Sequence, residues 1–301
     1  GGYHLGRKVT HFRDKFFHKI VKGKYIDYEA RDNSKMEVQE LIKDFCISMK
    51  CEDHIDMPEL VEYEVLVDLP AKIRPLYREM ENELFVQLDK GKITAANAGV
   101  KTGKLHQIAQ GAVYLSDDPF NPRAELKGGE TAPWEHIHDA KLDRLDLLLD
   151  ELEGQQVIVA YEFKHDKERL LEFFKTRDEH LIHLGAGAKD SAFKKAVDAW
   201  NNHAVDILMV QTGIVSHGLN IQYGGHHIIM FANTFNFENY DQLRRRLWRS
   251  GQQSGTVMVH RIVTRGTVDR AIINRLSFRE DEQNAFVKAL QHYRQELLLA
   301  A

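Results

Sequence analysis

The chain's 301 residues are 43% apolar and 29% charged, enough to bury the core of one large or two modest domains and unlike a disordered chain. With 41 Lys or Arg against 45 Asp or Glu the net charge is −4, which excludes a polybasic coat but permits a local basic groove. Two cysteines, no apolar run of about 18 residues and no leader-like apolar stretch at the start point to a cytoplasmic protein.

Glu37–Met49 is the first periodic segment, with Val38, Leu41, Ile42, Phe45 and Met49 at helical spacing. Glu62–Asp68 reads as a strand ended by Leu69-Pro70, and Ala71–Leu88 as a long helix. A further helix is expected over Leu105–Leu115. Turn formers then crowd Ser116–Pro122 and Gly128–Pro133, a boundary loop that divides a mostly helical 1–134 from 135–301. Beyond it come helix Lys141–Leu152, strand Val157–Ala160, helix Lys164–Lys175, strand His180–Leu184 and helix Ser191–Asn201. Strands Asp206–Val210 and His227–Phe231, helix Glu238–Ser250, strand Thr256–Val263 and a long helix from Val268 complete the chain. Such alternation predicts βαβ units around a parallel sheet, an α/β fold whose ligands belong in loops at the strands' carboxyl ends.

Several segments imitate binding sites. Gly99-Val-Lys-Thr-Gly103-Lys104-Leu105 looks like a phosphate loop, but its glycines are one residue too close and Leu105 replaces the hydroxyl for magnesium. A polar helix connection is expected there. Asp178-Glu179-His180 imitates an acidic magnesium box, yet Phe173–Arg177 before it reads as a helix end. His136, His138, His226 and His227 lack companions for a four-ligand zinc site and are expected to be packed or solvated, so no metal ligand is assigned. Cys46 and Cys51 have no evident partner histidine and are expected to be buried or inert.

Tyr240–Gln252 carries the chemistry. Gln242, Arg246 and Arg249 are spaced by four and three residues, which on one helix places them on one face. Guanidinium forks match phosphate oxygens, and two aimed at one point would stabilise the charge that develops in phosphoryl transfer. A solvated basic helix face is the plainer alternative.

With Gly251 and Gln252, this stretch resembles motif VI of the Swi/Snf-type helicase-like ATPases of helicase superfamily two. Thr212–Ile221 resembles motif V, Val157–Phe163 motif IV, and His138–Leu142 the opening of the second lobe. Val259–Asp269 is similar to the strand, turn and helix that close that lobe. Ile47–Lys50, Asp56–Pro58 and Val67–Pro70 resemble the link between lobes, and the combination resembles the phage or prophage branch. Three positions depart from the pattern. Val215-Ser216 replaces a Gly-Gly pair, which implies a stiffer loop; Gly213 replaces a basic residue; and Trp248 replaces a frequent histidine, with packing as its expected role.

The resemblance implies a RecA-like second lobe over 135–301, preceded by an inter-lobe link and helical protrusion. It also implies that Gly1 is an internal boundary and that a first lobe, with its phosphate loop and acidic box, holds ATP and Mg2+. Arg246 and Arg249 would then be arginine fingers, and Gln242, Gly218 and Asn220 nucleotide contacts. Thr212, Lys164 and His217 would touch DNA, gripped as a duplex through its phosphates. On that reading the chain is the C-terminal half of a DNA-stimulated ATPase and translocase, inactive alone, in a bacterial or phage-infected cytoplasm and away from membranes. The alternative is a non-catalytic nucleic-acid-binding or assembly module with the same fold.

Overall fold

The computed structural model describes residues 4–22, 25–44, 46, 56–89, 95–115, 133–214, 219–277 and 282–299. Internal contacts divide the chain into two units, Gly1–Asp56 and Met57–Ala301. In the first, helix α1 (Val9–Phe16) leads into an antiparallel ribbon, β1 (Phe17–Lys22) and β2 (Tyr25–Ala30), and helix α2 (Ser34–Ile42) follows. Phe12 of α1 packs against the rings of Phe16 and Phe17, with centroids 5.1 and 5.7 Å away. The helix expected over 37–49 thus begins at Ser34, and its last turn lies largely outside the described residues. Cys46, just past α2, is exposed.

The second unit is built on a six-stranded parallel sheet, so the expected α/β, RecA-like architecture is present. Its members are β3 (Glu59–Val67), β6 (Val157–Tyr161), β7 (Leu181–Leu184), β8 (Ile207–Gln211), β9 (His227–Met230) and β10 (Thr256–Thr264). Their order is β3-β10-β9-β6-β8-β7. Central β6 is buried at every position, the continuous apolar run of a parallel strand covered on both faces. One face packs against α7 (Asp190–Asn201) and α8 (Phe237–Leu247) through Ala196, Trp200, Tyr240, Leu243 and Leu247. The other packs against α5 (Ala140–Glu151) and α6 (Lys164–Phe174) through Leu145, Leu148, Leu170 and Phe174.

A third apolar cluster joins α3 (Arg74–Asp89) and α4 (Ala95–Gln110) to α9 (Asp269–Ser277) and α10 (Glu282–Leu299), with Tyr77, Leu84, Leu105, Val268 and Tyr293 at its centre. A short antiparallel pair, β4 (Ala112–Tyr114) and β5 (Trp134–His136), lies between α4 and α5 in the chain. The expected boundary near residue 134 therefore falls inside this unit. The reason is β3, which pairs along β10 from Glu59 opposite Thr256 to Val67 opposite Thr264. Most of the boundary loop, 116–132, lies outside the described residues.

Two helix ends differ from expectation for local reasons. The helix expected to reach Leu115 stops at Gln110, because Gly111 adopts φ +99° and a Cβ there would stand 2.0 Å from the His138 carbonyl oxygen. The phosphate-loop look-alike Gly99–Leu105 is neither a loop nor a connection, since it lies inside α4 with Thr102 and Leu105 buried. The helix expected to reach Ser250 ends at Leu247, where Trp248 leaves helical geometry at φ −77°, ψ 84°. At its start Asn236 Oδ1 accepts from the Asn239 amide at 3.0 Å, a side-chain N-cap.

Lys141 and Asp269 form an ion pair at 2.7 Å with both side chains fully buried. The second Asp269 contact is the Thr264 amide, which donates to Oδ2 at 2.8 Å. The Gln110 amide, oriented with its nitrogen toward the Phe231 carbonyl, accepts from Lys141 at 2.9 Å and from His106 at 3.1 Å. Burial pushes His106 down to about 4. Removing one partner strands the other charge away from water, so Asp269→Ala is expected to cost about 3–5 kcal/mol, read from the urea midpoint.

A chain of neutral imidazoles crosses the sheet elsewhere. Gln155 meets His227 Nε2 at 2.9 Å, His227 Nδ1 meets His260 Nε2 at 2.9 Å, and His260 Nδ1 bonds the Tyr63 hydroxyl. Burial lowers His227 to about 3 and His260 to about 4. An unfolded chain, with histidines near the ordinary value of about 6.5, binds more protons than the folded one between those limits. The histidines' contribution is therefore complete above about pH 6.5 and is lost as pH falls toward 4. His260→Phe is expected to flatten that acid limb of a stability–pH profile.

Candidate functional site

The site is built on α8 and the segment 219–226 that approaches β9. Gln242 and Arg246 lie one turn apart on α8, both half-buried. Arg249 lies past the helix end, so the single-face argument holds for the first two residues alone. Its position is set instead by Asn220, whose Oδ1 accepts from Arg249 Nη1 at 2.8 Å. Asn220 is anchored in turn, because its carbonyl accepts from Asn201 Nδ2 at 2.8 Å. The motif V-like and motif VI-like stretches thus meet through one side-chain hydrogen bond.

Gln242 donates from Nε2 to Glu238 at 3.0 Å, while its buried Oε1 finds no donor among the described residues. That leaves an acceptor on the same helix face as Arg246. Gln252 continues the local pattern by donating to the Gly225 carbonyl at 3.3 Å, and Trp248 donates to the Pro58 carbonyl at 2.7 Å. Flanked by the Arg244 and Arg245 guanidiniums at 5.8 and 5.5 Å, the Trp248 ring packs as its position suggested.

What holds α8 is a carboxylate that sequence reasoning missed. Glu62, on edge strand β3, accepts from Tyr240 at 2.6 Å and from Arg244 at 3.1 Å, with Arg261 at 3.8 Å. Arg244 also forks onto Asp241, whose Oδ1 accepts from Nη2 at 2.6 Å and from Nε at 2.9 Å. Burial alone would push Asp241 up, but bonds and charge from Arg245 and Arg244 hold it below the usual carboxylate range. The first two arginines of the run, Arg244 and Arg245, are therefore structural. Tyr240 four residues before Arg244 is the sequence signal for that half of the knot, whereas Glu62 lies 178 positions from Tyr240 and gives none.

The remaining candidates lie elsewhere. Thr212, in a 3-10 turn (Thr212–Ile214) after β8, is buried and donates from its hydroxyl to the Tyr161 carbonyl at 3.1 Å. The hydroxyl thus ties the turn to β6. Lys164 opens α6, and its amide donates to the Tyr114 hydroxyl at 2.9 Å. Gly218 and His217, with Val215 and Ser216, lie outside the described residues. A depression of about 530 Å3 opens beside the turn, lined by Gly185, Gly187, Asp190, Phe193 and Ile214.

These residues fall at two ends of the sheet. Lys164, the Thr212 turn and the depression follow the carboxyl ends of β6, β8 and β7, where ligands were expected. Asn220 and Arg249 do not, for their partner Asn201 ends α7 and so lies toward the strands' amino ends. The antiparallel return of α8 along the sheet causes the difference.

Among the described residues no three His, Cys, Asp or Glu come together as a metal cage, and no helix is long and apolar enough to cross a membrane. His138 donates from Nε2 to the Ile108 carbonyl at 3.0 Å and accepts from the Ala140 amide at Nδ1, and burial pushes it down to about 4. Glu179 of the acidic look-alike pairs with Arg177 at 2.7 Å.

The helicase conserved C-terminal domain family matches residues 140–251. A protein of Acyrthosiphon pisum secondary endosymbiont phage 1, putative protein p41, is 32% identical over 96% of this chain. The chain spans 59% of that relative's length. Among solved structures, the C-terminal part of the Fun30 ATPase domain superposes with a TM-score of 0.58 at 13% identity, over 80% of this chain and 98% of that one. The Sulfolobus solfataricus SWI2/SNF2 ATPase core in complex with dsDNA superposes with a TM-score of 0.53 at 21% identity, over 92% of this chain and 55% of that one.

The two ends of α8 predict different costs. Glu62→Ala strands the buried Tyr240 hydroxyl and takes one carboxylate from Arg244 and Arg261, and is expected to lower stability by about 1–3 kcal/mol. Asn220→Ala breaks an exposed bond and should cost less than about 0.5 kcal/mol. Paired urea titrations check the contrast.

Proposed function

Because this chain carries the C-terminal, Swi/Snf-type lobe of helicase superfamily two, we propose that it is the arginine-supplying half of a DNA-stimulated ATPase and translocase. The observation that supports this most is the Arg249–Asn220 hydrogen bond, which sets a guanidinium between the two stretches that the resemblance assigns to nucleotide sensing. ATP is the substrate, held on a first RecA-like lobe. Arg246 and Arg249 approach its terminal phosphate and offset the charge that spreads over the transferred oxygens. Gln242 offers its unpaired Oε1 to a donor on the nucleotide.

The chemistry of this chain's donors fits such a division. The cationic forks suit phosphate oxygens. Mg2+, carried by the first lobe, supplies the remaining charge neutralisation when bound.

Nucleic acid runs along the other end of the sheet, past Lys164, the Thr212–Ile214 turn and the depression beside it. The Sulfolobus core bound to dsDNA supports duplex DNA as the track. Phosphate contact makes the grip salt-dependent and indifferent to sequence. Thr212 bonds to β6, and Asn220, eight residues on, holds Arg249, so nucleotide and DNA read neighbouring points of one stretch of chain. Closing and opening of the cleft between lobes then moves the chain along DNA. The phage relative supports a phage or prophage setting, and with it the cytoplasm of a bacterial or infected host cell.

The purified 301-residue chain is expected to hydrolyse no ATP, because its one phosphate-loop look-alike is helix interior. Supplied with a first lobe, Arg249→Ala should lower kcat by about 100-fold or more with nucleotide affinity nearly unchanged. Unchanged kcat would sink the arginine-finger assignment.

A further inference from the structure

Among the described residues Trp200 is the largest side chain buried completely, and it takes its place from the helical spacing of Phe193, Ala196, Val197 and Trp200 along α7. A buried indole still carries one N–H that needs an acceptor. Trp200 Nε1 finds it outside its own helix and outside the sheet, donating to the Ile221 carbonyl at 2.9 Å. Asn201, the next residue, donates from Nδ2 to the Asn220 carbonyl at 2.8 Å. The end of α7 thus holds two successive carbonyls of segment 219–226 with two successive side chains.

Two glycines make this approach possible. A Cβ on Gly224 would collide with Nε1 and Cδ1 of the Trp200 indole, and one on Gly225 with the Gln156 carbonyl oxygen. Gln156 donates from Nε2 to the carbonyls of Trp200 at 3.2 Å and Val205 at 2.6 Å, so the end of α7 is itself fixed. The same segment also meets the turn that follows α8. Asn220 Oδ1 accepts from Arg249, the Gly225 carbonyl accepts from Gln252 at 3.3 Å, and the Tyr223 ring lies against Gly251. The backbone of Asn220 is therefore tied to α7 while its side chain holds the guanidinium.

We propose that Trp200 and Asn201 are positioning residues for Arg249, acting through the Ile221 and Asn220 carbonyls to fix the side chain that aims the guanidinium. The proposal rests on the reading of Arg249 as an arginine finger and extends that site to the end of α7. An arginine stabilises developing charge only when it is aimed before the reaction, and a misplacement of about 1 Å is enough to lose most of the effect. Arg249 is exposed on a long, rotatable side chain, so its aim depends on a partner that does not move. Core packing by the indole requires the ring alone, whereas positioning requires the Nε1 bond, and substitution separates the two.

The test compares Trp200→Phe, which keeps an aromatic ring and removes the donor, with Asn201→Ala, which removes an exposed hydrogen bond and leaves the core intact. In the 301-residue chain, hydrogen exchange over 219–226, read by mass spectrometry, should accelerate about tenfold in either variant while β6 keeps its protection. No acceleration there in either variant, or an equal acceleration of β6 in both, overturns the proposal. With the first lobe present, each variant should lower kcat about tenfold or more at nearly unchanged KM for ATP. In an Arg249→Ala background neither should lower kcat further, because the group they position is gone. A full additional loss in that background, or unchanged kcat when Arg249 is present, also overturns it. The arginine-finger assignment fails separately, by an unchanged kcat in Arg249→Ala alone.

Discussion

A charged pair with no access to water organises the sheet-based unit. Lys141 enters from the first turn of α5 and Asp269 from the first turn of α9, and they meet at 2.7 Å. Neither charge can be left alone in that environment, so each fixes the other. Through Gln110 and His106 the same group reaches α4, and through the Thr264 amide it holds the end of β10. Helices that lie between the sheet's first two strands in the chain, and one that follows its last, are thereby bound to one point. The two residues are 128 positions apart, so no local spacing announces the pair.

The arginine run on α8 divides its labour by what each guanidinium can reach. Arg244 turns toward Glu62 and Asp241 and becomes part of the scaffold. Arg249, beyond the helix, is left to Asn220. An arginine buried against two carboxylates costs too much to release, whereas one held by a single exposed amide is free to exchange that partner for a phosphate. Proximity in sequence hides this difference.

Much of the fold was legible because the sheet is parallel and buried on both faces. Strands such as Val157–Tyr161 must then be continuous apolar runs, and the helices between them must be amphipathic, so the order of elements from 140 to 264 could be read directly. The ribbon β1–β2 and the pair β4–β5 escaped notice, since two-stranded pieces have little apolar alternation to announce them. The boundary near 134 followed turn composition, but composition is blind to β3, whose partner β10 lies almost 200 residues downstream.

For the site, local spacing determined which residue types stand together: Gln242 and Arg246 share a helix face because 3.6 residues make a turn. Sequence also determined the family resemblance, which needs only the order of motifs. Tertiary structure alone decided where α8 stops, that Arg249 rests on Asn220, that Thr212 faces inward and that Glu62 anchors the helix. Each of these depends on atoms brought together from distant positions, where a hydrogen bond or a lost water shell sets the outcome and no local period records it.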